Sequence, residues 1–455
     1  MQEDSPAENQ AVHAGEPAAR GNAEFVQKYF KRSSIALVII TIGGQLFSDT
    51  QQTFLAYVAH NGAGYSFLDS GIMSAMYAII SAVFFILWGA ISDNLRTRFG
   101  RRIPLIVSGT VITGILVIFF VYSRNFVWLV IDWGILIAIA NSMTKVTGSL
   151  TADLIPLERR GRVNTVLQIV TPLGSLMIYL PSIVTLFGGS ELEEALVITA
   201  DMAIYCVIGI IAFLLVKEPP IAEPPRRIID DIKKVIDWRE LAKDKDFLKL
   251  FFAGIFLAAA DNAIFLNFFS FISNLFATVV FDVPTLIIFG ALAAAILACG
   301  MYFLGKAIDK IGRKVVTITA FGLAPIGAFM IALAGSSLIP LMLGFAIFFT
   351  FYLAGWSAIS AWQQDILPKE ARGRFFGILG ISGAVGSAIG GIVAGLIADQ
   401  YSIFWIFIAA AIFLWLSLPI YSRVRETIHR KEGQPVPPAS VELAASPESL
   451  PGDDQ

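Results

Sequence analysis

The chain is poor in charge. Only 15% of its 455 residues are Asp, Glu, Lys or Arg, against about 25% in ordinary soluble domains, so water is not its main solvent. It has two cysteines, Cys206 and Cys299, in apolar runs from different halves and without CxxC or Cys/His spacing; this excludes a disulfide framework and a metal centre. Its three histidines, His13, His60 and His429, lie outside the long apolar runs and gather no nucleophile or paired acids around them. An enzyme is therefore not expected, nor any cofactor. A net charge of -2 offers no basic face to nucleic acid, which is excluded as a partner. The first thirty residues lack a basic start followed by a short apolar run and cleavage site, so no cleavable signal peptide is expected.

What is abundant is apolar. Hydrophobic residues make up 56%, with 36 Phe and 8 Trp, and the mean hydropathy is +0.72. That is too much apolar surface for one globular core to hide, so a lipid bilayer must face much of it. A crossing helix needs roughly 20 mainly apolar residues, and about twelve such runs recur, near 34–59, 70–91, 103–123, 126–149, 163–186, 195–216, 248–274, 284–305, 315–334, 338–361, 375–397 and 402–421. Lys and Arg favour the cytoplasmic side of short loops. Of the 33 such residues, only Arg124, in a loop on the other side, and Lys145, inside a span, leave that side. Both termini are thus expected in the cytoplasm, with the protein multi-pass in a cytoplasmic-type cell membrane.

The expected organisation is a disordered tail over 1–24, a six-helix bundle over 25–216, a cytoplasmic linker with an amphipathic helix over 217–247, a second six-helix bundle over 248–431, and a disordered tail over 432–455. The halves repeat. DLIPLERRGR at 153–162 matches DILPKEARGR at 365–374 with an offset of 212 (365 − 153), and FGRR at 99–102 meets IGRK at 311–314 at the same offset. Two parallel pseudo-symmetric bundles with a solute site in the seam are what such a repeat implies.

The loop GAISDNLRTRFGRRIP at 89–104, with its counterpart GKAIDKIGRK at 305–314, resembles the signature loop of the major facilitator superfamily. In its first-half form it is most similar to the glycoside–cation symporters and sucrose-type transporters. The resemblance implies an all-α membrane fold and secondary transport by alternating access. It also implies a gating role for Gly89, Asp93, Arg101, Arg102, Asp153, Glu158, Arg162, Asp309, Gly312, Arg313, Asp365, Glu370 and Arg374. Glycine lets the helices approach closely there; Asp93 and Asp309 would each meet a helix start in the other bundle, near Phe375 and Val163.

Charges inside a membrane are costly and usually face a cavity or a partner. Gln45, Ser48, Asp49 and Gln52 share one helical face at i, i+3, i+4 and i+7. The repeat offset carries Asp49 onto Asp261, beside Asn262. Asn141 and Lys145 share a face of the fourth span, and Asp49 is the expected counter-charge of Lys145. Trp356 and Gln363 are candidates for stacking on and hydrogen bonding to a polyol. In the resembled sodium-coupled symporters the second span carries acidic ligands; here 70–90 holds none, so protons rather than sodium are the expected coupling ion. The expectation is a proton-coupled transporter of a small organic solute, sugar-like in preference, acting as a monomer. The alternatives are a uniporter, a lipid or drug exporter of the same fold, or a non-transporting membrane sensor.

Overall fold

With no water in a bilayer core to satisfy backbone groups, a chain this apolar must close its hydrogen bonds within helices. The computed structural model describes residues 6–147, 191–218, 245–278, 311–335, 337–366 and 372–426, with isolated positions between 150 and 182 and between 292 and 307. Ten helices among the described residues are long and apolar enough to cross a membrane: α1 Phe25–Gly62, α2 Phe67–Asn94, α3 Ile103–Tyr122, α4 Phe126–Thr144, α5 Leu192–Leu215, α6 Lys245–Phe276, α7 Arg313–Leu333, α8 Leu338–Ser360, α9 Ile378–Gln400 and α10 Ile403–Tyr421. The helices of α8 and α9 run on in register to Ile366 and back to Arg372. The expected span at 284–305 lies mostly, and the linker at 219–244 wholly, outside the described residues, and the expected span at 163–186 is described only in part, as helix. No strand occurs among the described residues; one isolated bridge joins Thr97 and Gly100.

The helix of α1 is assigned from Pro6. One expectation is corrected. His60 lies in the last turn of α1 rather than beyond it, with Nδ1 2.7 Å from the Tyr65 carbonyl and its ring stacked on Phe67.

Each half has its own apolar centre. Val117, Phe120, Trp133, Ile137 and Met202 fill the first; Phe271, Phe321, Phe348, Tyr352 and Phe407 fill the second. Large apolar side chains such as Val83, Phe119, Leu214 and Leu333 point outward and exposed, which is the surface a bilayer would cover. The ends of the helices differ. The loops after α2 and before α7 carry Arg and Lys, and we call this the basic end; the other is the far end.

Two helices lose regular geometry at corresponding places. α1 widens into π turns at Thr50–Phe54 and Val58–Gly62, and α6 is interrupted between Phe265 and Phe268. The first follows directly on Asp49 and the second comes one turn after Asp261. Such interruptions free backbone groups and favour functional positions.

Candidate functional site: the seam between the bundles

At the far end the bundles are closed on each other through α2 and α9. Ser66 caps α2, accepting from the Asp69 N–H while Asp69 Oδ2 accepts from the Ser66 N–H. The next two orphan donors, the N–H groups of Phe67 and Leu68, donate to Asp399 Oδ1 and Oδ2 of α9, each at 2.9 Å. A carboxylate of one bundle therefore completes the helix start of the other, where the helix dipole favours an anion. Backbone packs on backbone below this: a Cβ on Gly71 would lie 2.8 Å from the Gly391 carbonyl carbon, and one on Gly395 2.7 Å from Leu68 Cα. Further glycines of α9, Gly386 and Gly390, press on the α6 backbone, so this run of glycines serves close helix packing. Phe269 of α6 seals the seam against Phe54 and Tyr57 of α1, with ring centroids 4.1 and 4.8 Å apart.

Halfway down, the seam turns polar. Gln45 donates to Asp49 Oδ1 at 2.9 Å within α1. Gln52, one turn further, reaches across the bundles to Asp261 Oδ2 at 3.2 Å, and Tyr352 of α8 donates to Asp261 Oδ1 at 2.5 Å. Asn262 donates across the seam to Ser74 Oγ at 3.2 Å and within its own bundle to the Ser387 carbonyl at 2.6 Å. Both acids are half-buried, so they border the seam instead of lying in a bundle core. Gln52 thus links the polar face of α1 to the pseudo-symmetric acid.

Lys145 does not pair with Asp49. Its Nζ donates to Ser81 Oγ at 2.8 Å, and one turn away Asn141 donates to the Tyr77 hydroxyl at 2.6 Å. α2 and α4 run parallel, and both contacts share a sequence separation of 64. Lys145 follows the end of α4 and is engaged by α2, while Asp49 accepts from Gln45 within α1. Trp356 lies one turn from Tyr352, its ring 6.4 Å from the tyrosine ring, so it borders the Asp261 cluster. Gln363 does not: eleven residues beyond Tyr352, it is about 16 Å nearer the basic end. Trp133 and Trp362 are fully buried packing residues.

At the basic end, Asp93 stays in its own bundle, 3.8 Å from Arg101 and 3.4 Å from Arg102, with its side chain 57% exposed. The side chains at 372–377, where its expected partner helix begins, lie outside the described residues, and a Cβ on Gly89 would meet no described atom within 4 Å. The glycines that matter in these loops are others. Gly100 and Gly312 take φ of +114° and +116°, a region that side chains disfavour.

Each of these glycines precedes a helix start held by a glutamate that sequence reasoning missed. Glu218 accepts from the N–H groups of Arg101, Arg102 and Ile103 at 2.9, 2.9 and 2.7 Å. Glu426 accepts from Lys314 N–H at 3.1 Å. The signal existed, since each follows the last span of its half, but their separation of 208 (426 − 218) breaks the 212 offset. Asp153, Glu158, Arg162, Asp309 and Glu370, and the side chains of Asp365 and Arg374, lie outside the described residues. Among the described residues no cluster of metal-ligating side chains occurs, and both cysteines are free thiols.

Comparison with known proteins agrees with this architecture. Over 98 residues the chain is 36% identical to a vacuolar membrane amino acid uptake transporter of Schizosaccharomyces pombe, a match spanning 22% of this chain and 17% of that protein. Solved structures match almost throughout. A bacterial homologue of the human lysosomal transporter Spinster, inward-facing and occupied, has a TM-score of 0.64 at 17% identity over 87% of this chain and 97% of that one. The nucleoside transporter NupG has 0.65 at 14%, covering 86% and 98%, and the inward-open xylose transporter XylE of E. coli 0.62 at 17%, covering 87% and 97%. At these identities the structures establish the fold. The sequence profile of the Major Facilitator Superfamily matches residues 34–355 and 351–448, and with two helical bundles meeting at a polar seam the chain belongs to that superfamily of membrane transporters.

Proposed function

We propose that this protein is a proton-coupled secondary transporter that carries a small polar organic solute, sugar-like in its hydroxyl content, by alternating access. It would work as a monomer in a cell membrane with its basic end in the cytoplasm. The observation that carries this reading is Asp261, a half-buried mid-membrane acid that accepts hydrogen bonds from its own bundle through Tyr352 and from the other through Gln52. An acid so placed feels the parting of the bundles, because opening the seam removes one donor. Losing or taking a proton at Asp261, or at its pseudo-symmetric partner Asp49, is thereby linked to the exchange of access. The far-end contacts of Asp399 would hold the outer side shut in one stage of that cycle.

Uptake into proteoliposomes under an imposed pH gradient tests this, comparing wild type with Asp49→Asn and Asp261→Asn. Gradient-driven uptake should fall at least tenfold in one or both variants while downhill exchange persists. Undiminished gradient-driven uptake in both would refute proton coupling, and wild-type uptake indifferent to the gradient would make the protein a uniporter.

A further inference from the structure

Lys145 follows Thr144, the last residue of α4, and its Nζ donates to Ser81 near the middle of α2, so the ammonium lies alongside that span. It has no carboxylate partner among the described residues, and the mid-membrane acids account for why. Asp49 is held by Gln45, and Asp261 by Tyr352 and Gln52. Asp132 is fully buried and Asp201 nearly so. Asp132 stands thirteen residues along the same helix, about 20 Å away. A cation in a low-dielectric interior without a counter-charge is costly, and the described residues provide none.

Where Lys145 points follows from its hydrogen bond. Its acceptor Ser81 belongs to a stripe on α2 made of Gly71, Ser74, Tyr77 and Ser81, spaced three, three and four residues apart and so on one helical face. The first two of these touch the other bundle: Gly71 packs on Gly391 and Ser74 Oγ accepts from Asn262. The stripe therefore faces the seam. Ser81 continues it two turns toward the basic end, beyond the last described crossing contact on this stripe, and Lys145 beside it is exposed. Its exposure is to the crevice between the bundles and not to the outer surface. One N–H of the ammonium is used by Ser81 and two have no partner among the described residues, with Asn141 and Tyr77 hydrogen-bonded to each other one turn deeper.

From this geometry we infer that the transported solute carries a carboxylate, and that Lys145 supplies the counter-charge that anchors it. This deepens the transport reading and rests on it. A single flexible ammonium with hydroxyl and amide neighbours suits a monoanionic carboxylate on a polar body; a phosphate dianion would call for an arginine fork or several cations. Entry of the anion neutralises the lysine at the moment of binding. If one proton travels with it, no net charge moves per cycle.

The test uses the full-length protein and matched probe pairs that differ in charge: D-gluconate with D-sorbitol, and D-glucuronate with D-glucose. Thermal stabilisation of purified wild type should favour the acid of each pair by tenfold or more in apparent affinity. Lys145→Gln should abolish that preference without changing the melting temperature in the absence of solute, and Lys145→Arg should retain it. Uptake of the acid in proteoliposomes should be insensitive to a potassium-diffusion potential. The inference is overturned if neutral members bind as well as the acids, if none of the acids binds, or if Lys145→Gln keeps the preference. Failure of coupling is distinguishable: acid binding that depends on Lys145, with uptake indifferent to a pH gradient, sinks proton coupling and leaves the anchor standing.

Discussion

The far-end latch gives a sharp perturbation in Asp399→Ala. The substitution removes the acceptor of two N–H groups at the start of α2 and nothing else in the described structure. Loss of a helix-start acceptor costs about 1 kcal/mol. The site is exposed, so water re-solvates the freed donors once the bundles part, and the whole cost falls on the closed state. A bias of that size shifts the ratio of closed to open far ends about fivefold. Val127 and Ile339, 63% and 72% exposed at the far-end starts of α4 and α8, suit a spin-label pair after Cys206 and Cys299 are replaced by serine. Pulsed electron resonance should show the longer-distance population rising about fivefold in Asp399→Ala. Asp69→Ala, which breaks the cap within one bundle, should lower stability without that shift. Identical distance distributions for wild type and Asp399→Ala would refute the latch.

Two further outcomes follow from contacts at the two ends. Gly71→Val would force a Cβ against the Gly391 carbonyl; overpacking of about 1–3 kcal/mol should hold the far end open by about tenfold or more in the same spin-label assay and suppress uptake. A distance distribution like wild type would show that the backbones yield. Glu218→Ala strips three N–H groups of their acceptor and should cost about 1–2 kcal/mol, seen as a lower melting temperature in detergent. Glu218→Gln, still an acceptor, should lose less, and equal melting of all three proteins would show that the cap contributes nothing.

The sequence by itself determined the solvent, the helical class and the repeat, because these depend on composition and on patterns that a chain carries without folding. Twenty apolar residues can only be a helix in lipid, and an offset of 212 between two signature loops survives any rearrangement. The polar face of α1 was legible for the same reason, since residues at i, i+3, i+4 and i+7 must share a side of a helix whatever surrounds it. Which residues meet across helices was not legible. Depth is set by where each helix enters the membrane, and Lys145 met Ser81 of α2 in place of its expected partner Asp49. Tyr352 came to Asp261 without any motif to announce it, and Glu218 and Glu426 came to their loops from helix ends whose spacing departs from the repeat. Only tertiary structure decided that the far end is latched by Asp399 while Asp93 stays in its own bundle, because a latch is a property of two packed bodies and their current state.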